Sequence, residues 1–323
     1  MPTDSRKISV VIPVKNGEDT IGDCLAAVFS QTLPPLEVIV VDGYSTDRTF
    51  EVASKFPVKF IYEDYGTVGG ARQVGLENAK GEYVAFTDAD CIPERDWLEN
   101  LVKAFEDGYV GVGGGIKHIG KGLWGNSMAF IMDTFLGSGN SVQGRLFRNK
   151  RVVKSISGCN SLYRKKDLME VGGFNVNLSI NEDTELNTRL SRSGSLLYTP
   201  DAIVLHNQDR GLKDFAQRMY QFGYGRGKLR LWDLQCVPPI IIPVLLFSLL
   251  FTPWLFLGGI ILYCVVLVVM GLRAAWFKRD IKYMISIPIV YLIEHLSYSI
   301  GFWRGLFTSL KGKFDENHYN CFT

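Results

Sequence analysis

Apolar positions along the first hundred residues fall into two alternating rhythms. Lys7–Val14 (KISVVIPV) and Leu36–Asp42 (LEVIVVD) are β-branched runs without polar alternation, the pattern of strands covered on both faces. Between them Ile21, Cys24, Leu25, Val28 and Phe29 recur at i, i+3, i+4, i+7 and i+8, one face of a helix. The same exchange continues. Ser45 or Thr46 offers a cap to a helix with Thr49, Val52, Ala53 and Phe56 on one face, and VKFIYE reads as a third strand. GARQVGLENAKG reads as a short helix ended by Gly81. EYVAFTD is a fourth strand, and Trp97, Leu101 and Phe105 line a helix over Glu94–Glu106. Strand and helix in strict turn predict an α/β fold, a mostly parallel sheet with flanking helices. Ligands of such sheets gather at the carboxyl ends of strands, where Asp42 and the pair Asp88 and Asp90 stand.

From Tyr109 to Val204 the rhythm weakens. YVGVGGGIKHIGKG is rich in glycine, but it has neither GxxxxGK[ST] nor a glycine at Ile116 to complete GxGxxG, so it predicts a strand running into a flexible loop. After that the chain changes solvent. No charged residue occurs from Leu234 to Leu272, too long a run for one crossing of about 20 residues. A break at Thr252-Pro253 or Gly258-Gly259 divides it into two spans. A third apolar stretch, Tyr283 to Trp303, carries Pro288 and the polar pair Glu294-His295. A full third crossing would leave Lys311 and Lys313 outside; a re-entrant or tilted segment is the other reading. Arg226, Lys228 and Arg230 precede the first span, and Arg273, Lys278, Arg279 and Lys282 follow the second. The positive-inside rule then places the soluble part on the cytoplasmic side of a cell membrane. The expected organisation is a catalytic domain over 1–209, an interfacial amphipathic segment over 210–232, a membrane region of two to three helices over 233–310 and a polar tail over 311–323.

Composition removes other classes. The chain has 323 residues, 47% of them apolar, and a net charge of +2, which fits neither a disordered chain nor a nucleic-acid binder. Ile8–Val14 is too short and too β-branched for a signal peptide, consistent with a cytoplasmic amino-terminal domain. The six cysteines are scattered, with no CxxC pair and no Cys/His spacing for zinc, and read as buried or neutral thiols.

The candidate chemistry is carried by acids. Asp88-x-Asp90 at a strand end aims two hard oxygen ligands toward one point if the strand ends in a turn, a donor set suited to Mg²⁺ or Mn²⁺ with a substrate diphosphate. Capping of the following helix is the structural alternative. Asp42 can accept hydrogen bonds from a nucleobase or ribose, or start the turn before Ser45. Arg72 offers a fork of donors for phosphate, or a surface ion pair with Glu63 or Asp64. Glu182 and Asp183 open a helix that buries Leu186 and Leu190; there a carboxylate caps the helix or serves as general base. His206 ends the apolar run DAIVLHN, as a structural residue or as a metal ligand.

In this order the segments VVIPVKNGEDTIGDCLAAVFSQ, VVDGYSTDRT, GARQVGLENAKGEYVAFTDADC, GCNSLYRKKDLMEVGGF, NEDTELNTRL and LHNQDR…FAQRMYQFGYGRG resemble family-2 glycosyltransferases of the GT-A fold, over roughly residues 7 to 230. The resemblance implies inverting transfer of a sugar from a UDP- or GDP-linked nucleotide-sugar donor. It implies Pro13 beside the nucleotide, Asp42 on the nucleoside, Arg72 and Asp88 near the diphosphate, Asn160 and Glu182 toward substrate, and Asp90, Asp88 and His206 as metal ligands for Mg²⁺ or Mn²⁺. Asp183 matches the catalytic base. Two departures stand out. Gly43 follows Asp42 where the family often has a second acid, so Tyr44 becomes a candidate for stacking on the base. Gln217 and Gln221 are not followed by the RW of processive synthases. The membrane segments favour a membrane-associated, lipid-linked acceptor (a polyprenyl phosphate or a lipid-linked saccharide). The competing readings are a membrane-anchored scaffold without activity and a processive polysaccharide synthase.

Overall fold

The computed structural model describes the backbone of residues 7–319 and the side chains of residues 7–310; the expected polar tail and Cys321 lie outside the described side chains. The chain forms two compact units. One comprises residues 1–117 and 141–207, the other 118–140 and 208–323. The chain thus leaves the first unit near residue 118 and returns near 141, an excursion that the sequence pattern did not suggest.

The first unit is a mixed sheet. Its strands are β1 Ile8–Val14, β2 Glu37–Asp42, β3 Lys59–Tyr62, β4 Tyr83–Phe86, β5 Cys91–Pro93, β6 Tyr109–Ile119, β7 Arg151–Val153, β8 Ser161–Arg164 and β9 Ser195–Asn207. Their order is β3-β2-β1-β4-β8-β6-β9-β5, with β7 beside β9. β3, β2, β1 and β4 pair in parallel, as the strand–helix alternation requires. β4–β8, β6–β8, β5–β9 and β7–β9 are antiparallel, and each of these pairs has at least one strand from the irregular middle. β6 is a long strand rather than a strand with a flexible tail.

Both faces of the parallel half are covered, which explains its unbroken apolar strands. Val10, Ile12, Val38 and Val40 pack with Ile21, Cys24 and Leu25 of α1 (Ile21–Phe29) and with Trp97 and Leu101 of α4 (Trp97–Ala104). Val11, Ile39 and Val41 point the other way, into a core with Ala71 and Leu76 of α3 (Val68–Asn78) and Leu186 and Leu190 of α8 (Glu182–Leu190). Three local expectations change. α3 starts at a Thr67 cap and stops at Asn78, short of Gly81. Neither Ser45 nor Thr46 caps α2 (Thr49–Ala53); Asp47 Oδ1 accepts from the Thr49 amide at 3.0 Å instead. α4 is shorter than Glu94–Glu106: the Glu94 amide still donates to the Ile203 carbonyl of β9 at 2.9 Å, and the helix begins only at Trp97.

In the second unit, α5 (Gly122–Met132) and α6 (Phe135–Ser138) join α9 (Leu212–Leu229), α10 (Val237–Phe251), α11 (Pro253–Lys278) and α12 (Tyr283–Tyr319). Among the described residues three helices are long and apolar enough to cross a membrane: Leu234–Phe251, Pro253–Lys278 and Tyr283–Leu310. The break falls at Thr252-Pro253. α12 runs through Pro288 without interruption, so it has none of the chain reversal of a re-entrant loop. The first two spans are about 11% buried within the protein and the third is 50% buried, because α9 lies along it. Gly223 and Gly227 of α9 face the backbone of α12, and Gly301 and Gly305 of α12 face the backbone of α9. A β-carbon at Gly223 would fall on the Tyr298 carbonyl, and one at Gly301 on that of Tyr220. Small residues four apart let two backbones approach this closely. The expected interfacial helix over 210–232 is therefore packed on a partner helix: Arg226 is buried and ion-paired with Asp233, and Arg230 Nε donates to Ser309 Oγ at 3.2 Å.

Candidate active site

β4 ends at Phe86 and Thr87–Asp90 turns back, closed by the Cys91 amide donating to the Asp88 carbonyl at 3.0 Å. That turn is what aims both carboxylates outward. Asp88 Oδ1 accepts from Arg72 Nη2 at 2.7 Å, and the other arm of the guanidinium, Nη1, donates to Glu182 Oε1. Arg72 is no surface residue. It is 2% exposed, and it joins the end of β4 to the first turn of α8 rather than pairing with Glu63 or Asp64. Glu63 instead accepts the Tyr65 and Gly66 amides. Gly158 makes room for this bridge: a β-carbon there would overlap Arg72 Nη1.

Burial works against the Arg72 charge, but Asp88, Glu182 and Asp183 outweigh it and hold the guanidinium pKa above its usual value. Glu182 moves the opposite way. Burial first, then Asp183 and Asp88, push it up to about 7 against the opposing pull of Arg72. Two carboxylates share the Arg72 guanidinium, and burial favours the protonated form of the more enclosed one, Glu182.

Asp183 stands beside Glu182 at the amino end of α8. Its Oδ2 accepts from the Gly158 amide at 2.9 Å and from Gln143 Nε2 at 3.2 Å, and its Oδ1 from the Thr184 amide at 2.6 Å. The Asn181 that precedes α8 is in the left-handed region at φ +60° and makes no side-chain cap. Gln143 was not foreseen; it comes from an irregular segment with no motif to mark it.

Asp90 lies against His206, Oδ2 to Nε2 at 3.3 Å. His206 is carried by β9 directly opposite Cys91 of β5. Asp42, at the carboxyl end of β2, is buried and accepts from Ser45 through both oxygens, the turn-forming alternative in geometry. Next to it Tyr44, at φ +56°, is exposed and stacks on Tyr62 with ring centres 5.2 Å apart. Pro13 sits in β1 opposite Val41, past Val11 where the pairing with β4 stops. There a residue without an amide hydrogen is tolerated.

Asn160 is not brought to this cluster as a free amide. It is fully buried; its Oδ1 accepts from Trp97 Nε1 at 2.7 Å, and its Nδ2 donates to the carbonyls of Gly115 and Ala202 at 2.9 and 3.0 Å. It pins α4, β6 and β9 behind the site.

The family model of Glycosyl transferase family 2 matches residues 9–172, about half of the chain. The chain belongs to that family. It is similar to the glycosyltransferase AglE of Haloferax volcanii, 32% identical over 243 residues, which cover 70% of this chain and 74% of that protein. It is 26% identical over 321 residues to a Methanococcus voltae enzyme named dolichyl N-acetyl-α-D-glucosaminyl phosphate 3-β-D-2,3-diacetamido-2,3-dideoxy-β-D-glucuronosyltransferase, covering 93% and 97% of the two chains. Among solved structures, the mannosyltransferase PcManGT of Pyrobaculum calidifontis, in complex with GDP-Man and Mn²⁺, shares the fold at a TM-score of 0.60 and 19% identity, over 90% of this chain and 88% of that one. The protein is therefore a family-2 glycosyltransferase of GT-A fold with three membrane-type helices at its carboxyl end.

Proposed function

We propose that this enzyme transfers a sugar, with inversion, from a UDP- or GDP-linked donor to a lipid-linked acceptor, and that its catalytic unit faces the cytoplasm of a cell membrane. The observation that carries the reading is the Asp88–Arg72–Glu182 bridge. It ties the DxD turn of β4 to the helix that presents Asp183. Donor and base are thereby held in one rigid frame before substrate arrives.

Asp183 is the base. Its carboxylate sits at a helix amino end and is held by four hydrogen bonds, two to each oxygen. The longer contacts, Gln143 Nε2 at 3.2 Å and the Thr184 hydroxyl at 3.3 Å, are the ones that give way, so that one oxygen accepts the proton of an acceptor hydroxyl as it attacks. Glu182 holds Arg72, and Arg72 keeps positive charge beside Asp88 where diphosphate oxygens would lie. Asp42 has lone pairs left for a ribose or base edge, and the Tyr44–Tyr62 stack offers an exposed aromatic surface next to it. Pro13 lines the neighbouring strand, and Asn160 keeps the rear of the substrate site in register.

The residues fit a divalent ion. Adjacent ligands of an octahedral Mg²⁺ or Mn²⁺ at about 2.1 Å lie about 3 Å apart, and Asp90 Oδ2 and His206 Nε2 are 3.3 Å apart. Asp90 and His206 would hold it, with Asp88 on the same turn of the chain. Bound there, it would offset the negative charge gathering on the leaving nucleoside diphosphate.

The lipid acceptor is supported by the three spans within the same chain and by the Methanococcus voltae relative, whose name gives it an acceptor on dolichyl phosphate. The basic flanks Arg226–Arg230 and Arg273–Lys282 support the orientation. The test is to incubate membranes carrying the enzyme with radiolabelled nucleotide-sugars and Mg²⁺ or Mn²⁺, then extract with chloroform–methanol. Label should enter the organic phase and vanish with chelator; label that stays aqueous for every donor overturns the acceptor. Asp183→Asn should lower transfer on the order of 10²–10⁴-fold if the nucleophile is a sugar hydroxyl. It should do far less if the nucleophile is an already ionised polyprenyl phosphate.

A further inference from the structure

The Asp90–His206 pair is bordered by sulfur. Cys91, Cys159 and His206 each offer one ligand atom, and these three atoms all lie within 4.8 Å of one another. The cysteines are 0% and 5% exposed. Cys91 and His206 project together because they are register partners across β5 and β9. Cys159 arrives from the turn before β8, where Ser157 Oγ lies 3.3 Å from its sulfur. Asp90 touches both sides of the group: its Oδ2 is 3.3 Å from His206 Nε2, and the Cys91 thiol donates to its Oδ1 at 3.8 Å.

We propose that Cys91, Cys159, His206 and Asp90 form a binding site for a thiophilic divalent cation of the Zn²⁺ or Cd²⁺ class, overlapping the site of the hard cation. In a tetrahedral site with metal–sulfur bonds of about 2.3 Å, two sulfurs stand about 3.7 Å apart. The three atoms therefore need to close by roughly an ångström at most, within the reach of side-chain rotation. Two thiolates and an imidazole select soft or borderline ions over Mg²⁺, and a carboxylate completes four-coordination. The route in passes Asp90, whose side chain is 28% exposed. An ion seated on the sulfur side draws Asp90 and His206 away from the oxygen side, so it acts as an inhibitor that Mg²⁺ does not readily displace. The binding statement stands by itself; only the inhibition rests on the proposed role of Asp90 and His206.

The experiment uses the full-length enzyme in detergent under a phosphine reductant, titrated with Cd²⁺. One Cd²⁺ per chain should bind with an ultraviolet sulfur-to-metal charge-transfer band that millimolar Mg²⁺ leaves intact. X-ray absorption of the unmutated protein should show two sulfur neighbours and an imidazole. Cys159→Ser should remove the band and weaken binding more than about 100-fold, since disturbing even a residue behind a ligand costs on the order of 10–100-fold. Cys264→Ser, which alters an exposed thiol elsewhere, should leave the band unchanged. A first shell of oxygen and nitrogen only, or a band that survives Cys159→Ser and disappears with Cys264→Ser, overturns the site. Cd²⁺ should also halt sugar transfer in the presence of Mg²⁺. A protein that binds Cd²⁺ through sulfur yet transfers no sugar from any donor refutes the enzymatic reading alone.

Discussion

Glu182 of the catalytic unit and Glu294 of the membrane unit are equally enclosed, each 5% exposed, yet their surroundings differ. Glu182 faces Arg72 and shares it with Asp88, while Asp183 beside it accepts hydrogen bonds at both oxygens. Among the described residues Glu294 Oε2 has no hydrogen-bond partner, and neither have Tyr298 Oη and Ser299 Oγ. Its neighbour His295 is the one that ties helices together, meeting Tyr263 Oη of α11 at 2.8 Å and the Leu136 carbonyl of α6 at 3.2 Å. Buried charge that is paired fixes geometry and is costly to disturb. A buried polar atom without a partner fixes nothing by hydrogen bonding, and removing it costs little.

The largest effect should come from Arg72→Ala. It leaves Asp88 and Glu182 without their shared cation in a closed site, a loss of about 3–5 kcal/mol for a buried ion pair with one partner removed. Thermal unfolding of the catalytic unit should show it, and Arg72→Lys should restore little, because an ammonium cannot span both carboxylates as a planar fork does. A fully stable Arg72→Ala protein would mean that the bridge is incidental. Next is Asn160→Ala. It strands the Trp97 indole N–H and the carbonyls of Gly115 and Ala202, at about 3 kcal/mol if two of the three find no water. Activity of whatever protein still folds should fall in proportion to folded protein, with KM unchanged, because the amide faces the core and not the donor.

The bridge itself was beyond the reach of sequence. The alternation of β1, α1, β2, α2, β3, α3 and β4 was legible because each element buries a continuous apolar face at its own period, and the first two membrane-type helices were legible from the uncharged run Leu234–Leu272 alone. The acids at strand ends and at the start of α8 were also legible, since their positions follow from local pattern. Their partners were not. Arg72 meets Glu182, Gln143 meets Asp183, and Cys91 meets Cys159 and His206 through the antiparallel half of the sheet, whose strands come from the least periodic part of the chain. Local spacing rules for metal sites see only ligands close in sequence, so this group gave no signal. The α9–α12 contact was hidden for a related reason. The charges of α9 suggest a surface helix, whereas its glycines set the packing.

Glu182→Gln sharpens the contrast at a smaller scale. The folded state holds the Glu182 proton up to about pH 7, whereas an exposed glutamate releases it near 4.3. Between those values the folded state binds more protons than the unfolded one. The contribution is present in full below the lower value and is lost as pH rises through about 7. The unmutated protein should therefore lose about 2–3 kcal/mol between pH 5 and 8 relative to Glu182→Gln, which keeps an oxygen for Arg72 and has no charge to lose. Parallel melting curves across that range for the two proteins would show that Glu182 does not titrate there.

Glu294→Gln should be the mildest change of all, within about 0.5–1 kcal/mol in melting and less than about twofold in transfer to lipid. The carboxylate oxygen it alters has no partner to lose, and the hydrogen bonds of His295 to Tyr263 and Leu136 remain. Glu294→Leu tests the same point from the apolar side: with nothing bonded to Oε2, an apolar side chain of similar volume should match or exceed the native stability. A Glu294→Gln enzyme that melts normally but loses more than about tenfold in transfer to a lipid acceptor, with hydrolysis of the donor intact, would break the comparison. Glu294 would then act on the acceptor chain, and the membrane unit would be part of the catalytic apparatus rather than its anchor.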